Sequence, residues 1–357
     1  MEDRKKSKQG TFNKTGGKVR LSRKRNNDIV SAMEKNNEII KNKQMNTVGS
    51  LLLFITALIW GFAFVAQSKG MESVGPFTFT GIRSVIGAVT LIPWLILNRK
   101  TLFKVTDGGT EPNGNDNPSV IINRAKKSKI LIIGTLVIGF VFFLASISQQ
   151  IGILFTDNVG KAGFITALYI VLVPLAGIFL KKKPGWVVYL CVVAATIGLY
   201  LLCIPKGSGF SLKKGDLLLI LCAFLFTAQI MLIDYYSVRM NGILIAFAQL
   251  VVAGFFGLIG MFFWEKPTIR EIYDALLPIL YAGVLSSGVG YTLQILGQKY
   301  VEPTKASLIM CLESVFSVLG GWLILHQKLT LREGIGCIIM FAAIIVCQVF
   351  GNAGKKG

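Results

Sequence analysis

Along most of this chain apolar residues do not alternate with polar ones. They come in long runs, and windows of 18 or more nearly uncharged residues recur from one end to the other. Such a run is long enough to cross a hydrocarbon core of ~30 Å as a helix, and a helix satisfies its own backbone hydrogen bonds in lipid. The runs predict ten spans, at about 47–67, 76–97, 130–151, 158–180, 185–204, 215–236, 241–264, 274–297, 303–325 and 333–351. The expected fold class is an all-α integral membrane protein.

The spans repeat. "KAGFITALYIVLVPLAGIFL" (161–180) aligns without a gap on "KASLIMCLESVFSVLGGWLI" (305–324), with seven identities at an offset of 144. The offset carries back to Gln150 and Gln294. Further forward, "GSLLLFITALIW" (49–60) aligns on "GDLLLILCAFLF" (215–226) at an offset of 166, which sets Arg83 over Gln249. The two offsets differ by 22 residues, which fall in the loop 98–129; its "TDGGTEPNGNDNP" suits only irregular structure. The chain therefore reads as a five-helix repeat over 47–204, with an insertion at 98–129, and a second over 215–351. Five is odd, so the second repeat enters the bilayer from the opposite side. Inverted repeats of this kind are a plan of secondary transporters, with a solute site near the midplane between the repeats.

Charge orients this plan. The first 46 residues hold 13 Lys/Arg against five Asp/Glu and one aromatic, a composition that buries no core and predicts disorder. With this tail on the cytoplasmic side, the inside segments hold 28 Lys/Arg and the outside loops nine. Lys and Arg stay inside, so both termini are expected in the cytoplasm of a cell with this protein in its inner membrane. The tail's charge suits anionic lipid or RNA, but the simpler reading is a solvated tail that reinforces topology. No nucleic-acid partner is expected.

Polar residues inside the spans then matter. Only Arg83 and Glu313 are charged deep within them, and each costs about 2.5–3.5 kcal/mol at a helix centre on insertion scales. Glu313 lies on a stripe of Ala306, Met310, Ser317 and Gly320, matched in the other repeat by Ala162, Thr166, Tyr169, Val173 and Ala176. Span eight carries Ser287, Tyr291, Gln294 and Gln298 on one face; span three offers Ser146, Gln149 and Gln150; spans one and six bring Trp60, Phe64, Gln67, Phe226 and Gln229. Aromatic walls with a few converging polar groups make a small-molecule site. The candidate substrate-binding residues are Trp60, Phe64, Gln150, Tyr169, Gln229, Tyr291, Gln294 and Glu313. The rival readings are packing for Trp60 and Phe64, interhelical hydrogen bonds for Tyr291 and Gln294, and a static bond for Glu313. For Arg83 a structural role, snorkelling towards the outer face, is the favoured reading.

No enzyme is expected. There is no H-E-x-x-H and no Walker A lysine, and the one histidine, His326, sits at a span end. All six cysteines lie in spans and read as packing residues rather than metal ligands. No metal or cofactor is expected.

The motifs "ALIWGFAF", "FTFTGIRSVIGA", "KAGFITALYIVLVPLAG", "GDLLLILCAFLFTAQI" and "TKASLIMCLESVFSVLGGW" resemble those of EamA-type permeases of the drug/metabolite transporter superfamily, over about 47–351. The resemblance implies ten helices in inverted repeats, cytoplasmic termini and export of amino acids or related metabolites. The long tail and the 98–129 insertion depart from the family pattern. So do "LKKKPG" and "LHQKLT", where a Gly-Glu pair often follows spans four and nine. The expected function is a secondary transporter, an exporter working by alternating access, with the bilayer and a small solute as partners and Glu313 as the candidate for proton coupling. The rivals are a lipid-linked sugar or drug carrier and a non-transporting membrane scaffold.

Overall fold

The computed structural model describes residues 40–97, 118–155, 159–180, 184–204, 213–325 and 330–351. Among these there is no strand. Residues up to Val48 and those from Gly49 onward form two compact units. The described part of the first, 40–48, is helical; the helix cores and the cavity belong to the second.

The helices are α1 (Ile40–Gly70), α2 (Pro76–Leu97), α3 (Pro118–Leu154), α4 (Val159–Thr166 and Tyr169–Phe179), α5 (Trp186–Cys203), α6 (Lys214–Ser237), α7 (Gly242–Glu265), α8 (Leu276–Gln298), α9 (Pro303–Met310 and Leu312–Leu325) and α10 (Leu331–Phe350). Nine are long and apolar enough to cross a membrane, among the described residues. The tenth helix, α9, lies outside that set; its two α-helical pieces have eight and 14 residues.

Two boundaries differ from the sequence reading. Residues 40–46, assigned to the tail, are the first turns of α1. Residues 118–129, assigned to the insertion loop, belong to α3, which runs for 37 residues. Pro118 suits a first helical turn, where its missing N–H would be unpaired anyway. The basic stretch after it contains good helix formers, so the helix outlasts its apolar stretch. The expected disorder of 1–39 and the irregular 98–117, like His326, lie outside the described residues.

The helices do not bundle half against half. One apolar core joins α4 and α5 to α9 and α10; a second joins α2 and α3 to α7 and α8. Each core thus draws equivalent helices from both repeats. Close glycine contacts make this possible. A Cβ on Gly81 of α2 would lie 2.8 Å from the Gly257 carbonyl carbon of α7, and one on Gly198 of α5 would lie 2.8 Å from the Gly336 oxygen of α10. Small residues let membrane helices approach to backbone contact. Between the start of α2 and the end of α7, Glu265 accepts hydrogen bonds from the Phe77 and Thr78 amides at 2.8 and 2.7 Å. That carboxylate caps α2 from another helix and meets the positive end of its dipole.

Large apolar residues such as Phe179, Ile338 and Val349 are exposed along the helices, as a surface facing lipid requires. Trp186, Trp264 and Tyr273 are exposed near helix ends, where amphipathic rings favour the interface.

Candidate functional site

The two interrupted helices set the site. In α4 the α-helical ladder gives way to tighter bonds: Leu168 N to Ile165 O, Ile170 N to Ala167 O and Val171 N to Leu168 O, at 3.2, 3.0 and 2.9 Å. In α9 the same happens where Ser314 N bonds Cys311 O at 3.1 Å. Ala167 and Cys311 are 144 residues apart, the offset of the repeat. In α9, Ser307 Oγ and Cys311 Sγ donate back to the Thr304 and Leu308 carbonyls, at 2.9 and 3.1 Å. Such back-bonding competes with the helix ladder and bends it. Short tight turns inside a helix often mark functional places.

Just after the two breaks stand Tyr169 and Glu313. Tyr169 Oη donates to Glu313 Oε1 at 3.0 Å. Both residues are buried. They too are 144 apart, so the bond joins equivalent positions of the two repeats across their pseudo-two-fold axis.

A cavity opens around this bond. Much of its lining comes as repeat pairs: Trp60 with Phe226, Phe64 with Ile230, Thr166 with Met310 and Tyr169 with Glu313. The cavity therefore sits on the axis. Trp60 and Phe226 pack against both apolar cores, so α1 and α6 wedge between the two bundles.

The α8 wall is different. Residues Tyr281–Gly290 form a π-helix, wider than the α-helix that surrounds it. Its Ser286 carbonyl accepts from Trp60 Nε1 at 3.2 Å. Trp60 in turn meets Tyr291 with ring centroids 4.8 Å apart, and Phe142 backs Tyr291 at 4.5 Å. Gly290 leaves room for the indole, since a Cβ there would lie 2.6 Å from Nε1. The aromatic wall is thus fixed on several sides rather than loosely packed.

Two amide oxygens of the lining, Gln229 Oε1 and Gln294 Oε1, are buried and accept no hydrogen bond among the described residues. The Gln229 amide donates to Gln249 Oε1 at 3.2 Å. Together with the Glu313 carboxylate, these free acceptors suit a ligand with N–H or O–H donors. Arg83 also lines the cavity. It is 2% exposed, which sets aside the snorkelling reading: the side chain turns inward.

Of the residues the sequence nominates, Trp60, Phe64, Tyr169, Gln229, Tyr291, Gln294 and Glu313 all line the cavity. Gln150 does not. Its Nε2 donates to Gln67 Oε1 at 2.9 Å, tying α3 to α1, and its neighbour Gln149 faces the cavity instead. Adjacent helix positions point about 100° apart, so the polar pair "QQ" could not be resolved without knowing the rotation of α3. Sequence reasoning names Thr166 and Met310 only as stripe members, and it passes over Ile230 and Ser286. Thr166 and Met310 share the stripe of Tyr169 and Glu313, and Ile230 is the repeat partner of Phe64, so the duplication held the signal. Ser286 enters only because of the π-helix.

Among the described residues, no group of three or more His, Cys, Asp or Glu converges as a metal site would require.

Comparison with known proteins places this geometry. The model of the EamA-like transporter family matches residues 47–204 and 213–348, one match to each repeat. An uncharacterized transporter of Archaeoglobus fulgidus is 29% identical over 305 residues, covering 83% of this chain and 84% of the relative. The uncharacterized transporter YoaV of Bacillus subtilis is 24% identical over 308 residues, covering 83% and 93%. A crystal structure superposes with a TM-score of 0.69 at 15% identity, covering 86% of this chain and 98% of the other, which is a likeness of fold.

Proposed function

The chain belongs to the EamA-like transporter family and is a multi-pass membrane transporter; from that premise we propose that it exports amino acids or related small metabolites by alternating access, driven by proton entry. The observation that carries this reading is the Tyr169–Glu313 hydrogen bond inside the axial cavity. A site on the axis of two inverted repeats can face either side of the membrane when the repeats exchange conformations. Its one carboxylate can hold a proton in one state and the cationic part of a solute in the other. Tyr169 stabilises the ionised carboxylate when the cavity is empty of solute, and a bound ammonium group would displace or share that bond.

The Arg83, Glu313, Gln229 and Gln294 side chains in the lining weigh against the lipid-carrier alternative, which calls for an apolar site. A scaffold has no use for a carboxylate and free amide oxygens around a cavity.

The test is uptake of labelled amino acids into inside-out membrane vesicles with an acidic interior, comparing wild type with Glu313→Gln. The variant keeps size and hydrogen bonding but cannot titrate. It is expected to insert normally and to lose the response to the pH gradient, falling to the rate seen without one. Wild-type rate with unchanged gradient dependence would make Glu313 structural.

We also propose the orientation with both termini in the cytoplasm. Intact cells treated with a membrane-impermeant thiol reagent should label Glu72→Cys, in the α1–α2 turn, and spare Arg239→Cys, in the α6–α7 turn. The reverse pattern would invert the topology.

A further inference from the structure

We infer that Arg83 forms an oxyanion subsite of the cavity, and that the solute bound there carries a carboxylate. The inference rests on the transport reading only in taking the cavity as a solute site.

Arg83 stands on α2, roughly two turns in from Pro76, and it is 2% exposed. A guanidinium stays charged at any physiological pH and offers five N–H donors in a planar fork. Among the described residues no carboxylate forms an ion pair with it and no oxygen accepts its hydrogen bonds. The Phe79 ring lies 5.6 Å from the guanidinium carbon, one turn back on the same helix, and Tyr291 of the cavity lining interacts with Arg83 electrostatically without forming a hydrogen bond to it. A cation–π contact of that length orients the group but satisfies none of its N–H donors. Glu313, the other charge in the cavity, is held by Tyr169 and is not paired with Arg83. The cavity thus carries a fixed positive group and a carboxylate that do not neutralise each other.

The duplication shows that the fold does not need this charge. The equivalent position in the second repeat is Gln249, which is fully buried and takes the Gln229 amide at 3.2 Å. An uncharged amide, its oxygen bonded to Gln229, therefore fills the same place in the same architecture. An unpaired cation in membrane-buried surroundings persists when it serves a ligand or an ion path. The guanidinium fork matches a carboxylate in two parallel hydrogen bonds, while Glu313 favours a cationic group at the ligand's other end.

The experiment uses the purified full-length protein in detergent and matched ligand pairs that differ only in the carboxylate: L-phenylalanine with phenethylamine, and L-leucine with isoamylamine. Binding is read by tryptophan fluorescence titration, with inorganic phosphate as a further probe. Wild type is expected to bind at least one carboxylate-bearing member more than about tenfold tighter than its amine. Arg83→Gln should bring that ratio near unity by weakening the acid and leaving the amine unchanged, and Arg83→Lys should retain part of it. A wild type with no preference in either pair, or an Arg83→Gln protein that keeps the preference, overturns the assignment. If Arg83→Gln does not fold, wild-type protein treated with phenylglyoxal decides the matter by mass spectrometry. Modification of Arg83 should be slowed by the amino acid and not by its amine. Equal protection by both, or protection by phosphate alone, overturns the carboxylate assignment. Transport is not measured, so a negative result here leaves the coupling role of Glu313 standing, and a silent Glu313→Gln leaves this subsite standing.

Discussion

Tyr169 in the first half and Glu313 in the second hold equivalent places, each just past a break in its helix, yet one donates the hydrogen bond that the other accepts. Arg83 and Gln249 also correspond, and there the first half carries the charge while the second carries an amide bonded to its neighbour. Apolar pairs such as Phe64 and Ile230 keep the shape of the wall on both sides. The halves have kept a common backbone plan and divided the chemistry, with the positive group on one and the carboxylate on the other. A fully symmetric cavity would present the same group twice. Divergence gives it two unlike ends, which is what orienting one small asymmetric solute requires.

The largest effect expected from disturbing this relation is structural. Gly81 and Gly257 place the two equivalent helices α2 and α7 in backbone contact. Gly81→Leu should therefore lower stability by about 3 kcal/mol or block insertion, the upper end of overpacking costs. Gly334→Leu is the control, because nothing lies within 4 Å of a Cβ there, and it should change the melting temperature little. Equal melting temperatures for the two variants would mean that the halves are not locked at α2–α7.

A smaller effect sharpens the comparison at the axis. Tyr169→Phe removes one interhelical hydrogen bond, worth about 0.6 kcal/mol in membrane proteins, and should shift the melting temperature only slightly. The double exchange Tyr169→Glu with Glu313→Tyr rebuilds the bond with donor and acceptor reversed. It should recover the stability lost in Tyr169→Phe, while the gradient response follows the carboxylate into the first repeat. An exchange that is no more stable than Tyr169→Phe would show that the two sides of the axis are not interchangeable in shape.

Much of this is legible in the sequence. Uncharged runs mark membrane helices because lipid tolerates few alternatives, and the gap-free match of 161–180 with 305–324 pairs Tyr169 with Glu313 without any knowledge of the packing. The nominated aromatic and amide residues reach the cavity because stripes at helical spacing share a face. The misses are of another kind. The sequence points to Gln150 where Gln149 faces the cavity, a rotation of one residue. It allows Arg83 to snorkel because the distance from the helix end permits it. It draws the fourth and ninth spans as single helices because hydropathy does not register a break at Ala167 or Cys311.

The sequence by itself determined the membrane class, the duplication and the short roster of polar groups that could meet in the bilayer. Each follows from local composition or from self-similarity. Only the tertiary structure decided that α4 and α5 share a core with α9 and α10, and α2 and α3 with α7 and α8. It alone decided which amide of a pair turns inward, and that Arg83 and Glu313 share a cavity without neutralising each other. The reason is physical: in lipid all helix faces are nearly equally apolar, so hydrophobicity does not choose partners. Close glycine contacts and a few hydrogen bonds between distant residues do, and they exist only once the helices are packed.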